Sequence, residues 1–243
     1  MILAIALCFL LAGTVKGITG MGLPTVVMCT LVFVMPGAKA AALLVVPSLI
    51  TNFWQLFSSP GWVATLRRLA LMLVAIVIGT FVGIGYLTGK SSPSANIILG
   101  LVLSIYALLA LRSVKFSVPP KWEPFIGPVA GLASGVLGGA TGLFLVPAVP
   151  YIAALGLQRD QLIQALGLSF GISTISLALA LTSKGAFNVH QVGASALALI
   201  PAMAGMYVGE IIRRRLSPEV FRKWFHLTVL LVGLSMVIVA LRK

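Results

Sequence analysis

One lysine stands inside a long apolar run near the N-terminus, directly before a segment rich in helix breakers. Lys16 precedes residues 17–24, a segment that holds three glycines and a proline. An ionisable side chain within an apolar run is energetically costly and marks a candidate functional site. Glycine lets the backbone approach an oxyanion closely, and hydroxyls such as Thr19 add hydrogen-bond donors. This pattern favours anion binding, and the alternative is a lysine that snorkels to a membrane interface.

A second glycine-rich segment, residues 135–142, interrupts another apolar run, and polar side chains follow both segments. Asn52 and Gln55 are three residues apart, which places them on one helix face. Ser173 and Thr174 are their counterparts in the second half. Ligand contact and interhelical hydrogen bonding are both open for these residues. The predicted binding residues are Lys16, Thr19, Gly20, Gly22, Asn52, Gln55, Gly138, Gly139, Thr141, Gly142, Ser173 and Thr174.

The composition is that of a membrane protein. Of 243 residues, 60% are hydrophobic and 9% are charged, and the mean hydropathy is +1.13. Soluble domains are usually about 45–50% apolar and about 25% charged. The 17 Lys and Arg outnumber the 4 Asp and Glu, but they form short clusters between apolar runs, so nucleic acid is not an expected partner. The catalytic and nucleotide-binding motifs that we sought are absent from the sequence, and we expect neither an enzyme nor a bound metal or cofactor.

Apolar runs of about 20 residues predict transmembrane helices. Six runs have about this length, namely 40–57, 69–87, 95–111, 162–182, 192–212 and 221–241. The runs 2–35 and 125–155 are too long for one crossing and too short for two, and each contains one of the glycine-rich segments. We predict that each of these two runs is a pair of short helices joined by an irregular elbow, with the second helix beginning near Leu23 or near Gly142. Because lipid cannot satisfy free backbone groups, each elbow must be buried in protein or line a watery cavity.

The two halves of the chain resemble each other. Gly13, Gly17 and Gly20 have the same spacing as three glycines of the second half, Gly131, Gly135 and Gly138. The segment Gly79–Gly83 similarly matches Gly205–Gly209. These patterns predict a first repeat over 1–112, a linker over 113–124 and a second repeat over 125–243. The Gly-x-x-x-Gly pairs within them are interpreted as helix-packing surfaces rather than as sites.

Charge placement decides between parallel and inverted repeats. If each broken run crossed the membrane once, Lys and Arg would divide eight against eight; if each entered and left on one side, they would divide eleven against five. Because basic loops face the cytoplasm, the second arrangement is favoured. Each half then crosses the membrane an odd number of times, so the two halves have opposite orientations. The predicted fold is an all-α polytopic membrane protein with two inverted repeats, each a broken, re-entrant helix hairpin plus three transmembrane helices.

These motifs resemble the TauE/SafE sulfite exporter family of bacterial permeases. The resemblance covers nearly the whole chain and rests on three features: the elbows Gly17–Pro24 and Gly135–Pro147, the segment Pro47–Gln55, and the Gly-x-x-x-Gly helices. It implies export of a small sulfur-containing anion, sulfite or an organosulfonate, across the bacterial inner membrane.

On this interpretation the substrate binds near the midplane at the two elbows, and the basic loops are cytoplasmic. The expected partners are a small anionic substrate and the lipid bilayer, with a homodimer left open. Two other functions remain as alternatives at this point. One is a channel-like anion pathway without alternating access, and the other is a membrane scaffold that transports nothing.

Overall fold

The chain forms a bundle of helices. The computed structural model describes residues 2–31, 34–57, 60–88, 117–187 and 189–213, with single positions inside 97–111 and 217–238. The helices are α1 (Ile2–Thr19), α2 (Leu23–Leu31), α3 (Gly37–Phe57), α4 (Trp62–Thr88), a 3-10 turn (Pro120–Trp122), α5 (Glu123–Thr141), α6 (Ala148–Ala154), α7 (Arg159–Ser183) and α8 (Val189–Arg213). The predicted helices 95–111 and 221–241 are described only at single positions, and residues 113–116 of the linker lie outside the described residues.

Five of the described helices are long and apolar enough to cross a membrane, and α1 is a shorter apolar helix. The predicted all-α polytopic class is therefore confirmed. The start of α4 was placed wrongly: the apolar run begins at Leu69, but the helix begins at Trp62. The reason is that hydropathy marks only the part of a helix suited to hydrocarbon, whereas backbone hydrogen bonding continues past Arg67 and Arg68.

One face of α4 shows how the bundle meets lipid. Leu71, Val74, Ile78 and Val82 recur at helical spacing, and all four are largely exposed. A contiguous apolar stripe on a membrane helix faces lipid, since hydrocarbon tails are as apolar as leucine. The opposite side of α4 is buried in the bundle and combines large apolar residues such as Met72 with the small residues Gly79 and Gly83.

Helices α1 and α8 pack closely through glycine. A Cβ added at Gly13 would collide with the carbonyl oxygen of Ala202, and one at Gly17 with the carbonyl oxygen of Met206. Backbones approach this closely only where the side chain is absent. The residue numbers rise together along the contact, so α1 and α8 are parallel.

Helices α4 and α5 repeat this arrangement. Gly131 lies over the carbonyl oxygen of Met72, and Gly135 over that of Ile76. These two helices are therefore also parallel. The interpretation of the Gly-x-x-x-Gly pairs as packing surfaces is confirmed, and each packing pair joins a helix of the first half to a helix of the second.

Helix α3 lies between α1 and α7, and it is parallel to α1 and antiparallel to α7. Lys16 of α1 bonds Asn52 of α3, and Gln55 one turn later bonds Gly20, so α1 and α3 are parallel. Thr174 of α7 also bonds Asn52, whereas the earlier residue Gly167 lies against the later part of α3. Helices α3 and α7 are therefore antiparallel.

The bundle thus has two ends. At the first, which we call the Arg68 end, α4 and α5 begin and Arg68 pairs with Glu123 through two hydrogen bonds of 2.9 and 2.6 Å. Gln164 at the start of α7 bonds Thr65 and the carbonyl of Leu56 there, which places the end of α3 at the same level. At the opposite end, the Lys39 end, α3 begins. Helices α1, α3 and α8 run towards the Arg68 end, and α4, α5 and α7 run away from it.

A proline inside α3 leaves a backbone carbonyl without its helical partner, and a residue of α8 bonds that carbonyl. Pro47 has no N–H, so the carbonyl of Leu43, four residues earlier, lacks its helical partner. The hydroxyl of Ser195 on α8 donates to that carbonyl over 2.8 Å, and it accepts the N–H of Val46 over 3.0 Å. Ser195 is fully buried. One serine therefore satisfies the backbone at the break in α3 and joins α3 to α8.

Gly83 and Gly85 of α4 provide a matched test of the glycine interfaces. A side chain at Gly83 would collide with the carbonyl oxygen of Val136 on α5, whereas one at Gly85 would meet open space. We expect Gly83→Leu to lower the free energy of unfolding by about 3 kcal/mol or more, since overpacking forces the backbones apart. Gly85→Leu should leave it unchanged or raise it by up to about 1 kcal/mol, since the side chain meets open space and leucine is the better helix former. Thermal unfolding in detergent measures both, and equal stability of the two variants would contradict this packing.

The contact between Ser195 and α3 is tested by a double-mutant cycle with Pro47. Ser195→Ala should cost about 1–3 kcal/mol of stability, because it leaves the buried carbonyl of Leu43 without a donor. Pro47→Ala restores an N–H at that place, so Ser195→Ala should cost much less in the Pro47→Ala background. Unfolding of the four proteins in detergent gives the coupling energy, and additive effects would rule out this role for Ser195.

Candidate functional site

Lys16 lies in the last turns of α1 with its ammonium inside the bundle. Its Nζ donates to the hydroxyl of Thr51 over 2.8 Å and to the Oδ1 atom of Asn52, both on α3. Lys16 is only 2% exposed, and its two partners are equally buried. The side chain is therefore held between helices and does not extend to a surface, as the snorkelling alternative required. Both of these partners are neutral.

Asn52 connects this lysine to the second half of the chain. Its Nδ2 atom lies 3.5 Å from the hydroxyl of Thr174 on α7, and that hydroxyl donates to the carbonyl of Phe170 over 2.7 Å. Lys16, Asn52 and Thr174 thus form one buried polar cluster across α1, α3 and α7. Asn52 and Thr174 also make the interhelical contacts that were the alternative to ligand binding, and one side chain can serve both purposes.

The first elbow follows Lys16 directly. α1 ends at Thr19, and Gly20 and Gly22 have φ angles of 78° and 107°, in the left-handed region that favours glycine. The Thr19 hydroxyl donates to the carbonyl of Val15 over 2.8 Å and accepts the N–H of Met21 over 3.3 Å. The Nε2 atom of Gln55 donates to the Gly20 carbonyl. Thr19 and Gln55 therefore satisfy the backbone where the helix stops.

The second elbow has the same start and a different continuation. α5 ends at Thr141, whose hydroxyl accepts the N–H of Leu143 over 3.2 Å, and Gly142 has a φ of 77°. The next helix was predicted near Gly142, but α6 begins only at Ala148 and has seven residues. The prediction was wrong because buried residues 143–145 extend the apolar pattern through non-helical backbone.

The structure pairs the residues of the two halves differently from the glycine spacing of the sequence. The two pairings differ by one helical turn. Gly20 and Gly142 each follow the last residue of a helix, and each donates over 2.7 Å to the carbonyl four residues earlier, that of Lys16 or Gly138. Asn52 and Thr174 are separated by the same number of residues. The structural counterpart of Lys16 is therefore Gly138, whereas matching glycines by spacing alone had paired Gly138 with Gly20.

The remaining predicted residues lie apart from the Lys16 ammonium. A side chain at Gly138 would collide with the ring of Phe144, and one at Gly139 with the Thr80 carbonyl of α4. Gly142 adjoins the side chain of Met28, and the Ser173 hydroxyl donates to the Ser169 carbonyl over 2.8 Å. The structure thus brings together Lys16, Asn52, Gln55, Gly20 and Thr174 but leaves the second-half glycines in other contacts.

Two features of the site escaped the sequence reasoning. Thr51 was not among the predicted binding residues, although it accepts a hydrogen bond from Lys16. Its signal was its position beside Asn52. Ser48, one turn before Asn52, and Ser169 on α7 have buried hydroxyls without a hydrogen-bond partner. Unpaired buried hydroxyls are uncommon in proteins, and they leave donors available near the cluster.

The chemistry of this cluster suits an anion. A buried ammonium whose hydrogen-bond partners are neutral keeps an uncompensated charge, which is costly until a counter-charge arrives. The amide of Asn52 and the unpaired hydroxyl of Ser48 on α3 supply donors for oxygen atoms. Among the residues that the structure describes, His, Cys, Asp and Glu side chains form no group that could hold a metal ion.

Comparison with known proteins gives one result for the whole chain. The search found no match among curated proteins and none among solved structures. The family model described as sulfite exporter TauE/SafE matches residues 5–236, which is nearly the full length. The chain therefore belongs to the TauE/SafE family of membrane transporters.

Proposed function

We propose that this protein exports a small sulfur oxyanion, either sulfite or an organosulfonate, and that Lys16 provides the charge that binds it. The observation that carries the proposal is the burial of Lys16 beside Thr51 and Asn52, both neutral. The substrate would displace part of this hydrogen bonding and neutralise the ammonium. The site would then be the cluster of Lys16, Asn52 and Thr174, one turn from the first elbow.

Burial of the cluster favours a carrier over an open pore. Asn52, Thr51 and Lys16 are closed off from solvent in this conformation. A substrate reaches them only if helices move, which is what alternating access requires. An anion leaving a cell that is negative inside gains about 2.3 kcal/mol per charge per 100 mV, so the membrane potential itself favours export.

The proposal includes two inverted repeats, whose re-entrant hairpins enter the membrane from opposite faces. The helix directions support it: α1 and α3 run towards the Arg68 end and α4 away, whereas their second-half counterparts α5, α7 and α8 run oppositely. α2 returns towards the start of α1, since Cys8 and Thr30 are hydrogen-bonded. The first broken run would thus be a re-entrant hairpin. We place the Arg68 end in the cytoplasm of a bacterial cell, at the inner membrane, because Arg67, Arg68 and Lys121 lie there.

Lys16→Met tests the role of the ammonium, with Lys39→Met as the matched control because Lys39 is an exposed lysine at the start of α3. We expect Lys16→Met to weaken sulfite binding and reduce efflux from proteoliposomes at least about tenfold, as expected for a lost charged hydrogen bond. Lys39→Met should retain both. Binding is followed by the ligand-induced rise in melting temperature. Normal transport by Lys16→Met would contradict the proposed site.

Counterflow distinguishes the carrier from the two other functions. Proteoliposomes loaded with unlabelled sulfite should accumulate labelled sulfite transiently and saturably, because a carrier exchanges its substrate across the membrane. A channel would show flux without counterflow. Folded, monodisperse protein without any flux would indicate a scaffold.

Cysteine labelling tests the topology in a chain whose Cys8 and Cys29 are replaced by alanine. Arg67→Cys lies near the start of α4, and Lys184→Cys lies directly after α7. We expect a membrane-impermeant maleimide to label position 67 only from the cytoplasm and position 184 only from outside. Labelling of both from one side would contradict the re-entrant arrangement and favour eight simple crossings.

A further inference from the structure

The two halves of the binding cluster carry different charges. Lys16 bonds Thr51 and Asn52, and the counterparts of these two acceptors are Ser173 and Thr174. The position equivalent to Lys16 is Gly138, which has no side chain. The second half of the cluster therefore contains the hydroxyls without a matching cation.

An aromatic ring occupies the corresponding space. The side chain of Phe144 lies directly on Gly138, so that even a Cβ at that position would collide with the ring. Phe144 is buried. By the same offset, the counterpart of Phe144 in the first half is Gly22, which has no side chain. Lys16 with Gly22 in the first half is thus replaced by Gly138 with Phe144 in the second, so the position that carries the cation in one half is covered by an apolar ring in the other.

We propose that this asymmetry selects monovalent oxyanions: a hydrogen sulfite or organosulfonate monoanion binds, and dianions such as sulfate are rejected. This inference rests on the proposed function of the Lys16 cluster. Lys16 is the one buried charged side chain among the residues whose burial is described. One ammonium neutralises one negative charge, and a second charge taken out of water without a partner is strongly unfavourable.

The neutral donors of the cluster do not replace a second cation. Asn52, Thr51 and Thr174 supply dipoles, which orient an oxyanion but leave its net charge unchanged. The ring of Phe144 fills the space beside Gly138, so a second cation has no room at the position equivalent to Lys16. The second half of the cluster therefore supplies no cation at this position for the second charge of a dianion.

Methanesulfonate and sulfate test the proposal in the wild-type protein, since they share a tetrahedral sulfur and differ by a methyl group in place of a charged oxygen. At matched ionic strength, we expect the dissociation constant for sulfate, from ligand-induced thermal stabilisation, to exceed that for methanesulfonate at least about 100-fold. Lys16→Met should abolish the methanesulfonate effect. Equal affinities would overturn the selectivity while leaving the transport function intact. Failure of sulfite and of both these anions to bind would overturn both.

A double variant supplies the reciprocal test. Phe144→Gly with Gly138→Lys reproduces in the second half the arrangement of the first, with a second ammonium facing Ser173 and Thr174. We expect its affinity for sulfate to rise at least about tenfold over wild type. Phe144→Gly alone, which opens the same space without charge, is the control and should not gain sulfate binding. Unchanged sulfate affinity in a folded double variant would contradict the proposal, and the wild-type comparison decides the question if that variant does not fold.

Discussion

Backbone hydrogen bonding in a medium without water is the constraint on which the rest of this structure depends. Each interruption of a helix leaves donors or acceptors that lipid cannot satisfy. Ser195 bonds the carbonyl freed by Pro47, Gln55 bonds the carbonyl of Gly20, and Ser134 accepts the N–H of Ala148 at the start of α6. Most polar side chains of the interior therefore have a structural partner. Lys16 also has hydrogen-bond partners, but both of them are neutral, so its charge differs from the other polar groups of the interior.

The glycine interfaces explain how the two halves of the chain hold together. α1 packs on α8 and α4 on α5 through backbone contacts that a single methyl group would disrupt. Each of these tight pairs contains one helix from each half. The inner pair, α3 and α7, meets through polar side chains, including Asn52 and Thr174. Contacts between side chains can be exchanged for contacts with a ligand, whereas glycine-mediated backbone contacts move only as rigid units.

The two halves of the chain are nearly symmetric, and the symmetry fails at particular positions. Equivalent helix ends at Thr19 and Thr141, each followed by a left-handed glycine, give both halves the same framework. A carrier that opens alternately to two sides benefits from such equivalence, since the two conformations then resemble each other. The symmetry fails in two places: Gly138 stands where the first half has Lys16, and the helix after the second elbow begins only at Ala148.

Much of this architecture follows from the sequence alone. Composition and run length determine that the chain is helical and embedded in a membrane, because the cost of placing charges in hydrocarbon is large and independent of fold. The spacing of Gly79 and Gly83 predicts close helix packing, and the isolation of Lys16 in an apolar run marks it as a candidate site. These features depend on local composition and short periodicity, which the chain carries without any knowledge of its partners.

Tertiary structure decided which residues Lys16 meets and how the halves correspond. No local rule brings α3 beside the end of α1, so the contact with Thr51 was not predictable. The one-turn shift that pairs Lys16 with Gly138 arises because helix ends and packing partners, rather than glycine spacing, define equivalent positions. Likewise, the apolar residues 143–145 suit a helix or an extended segment equally well. In the folded chain these residues are buried and non-helical, and α6 begins only at Ala148.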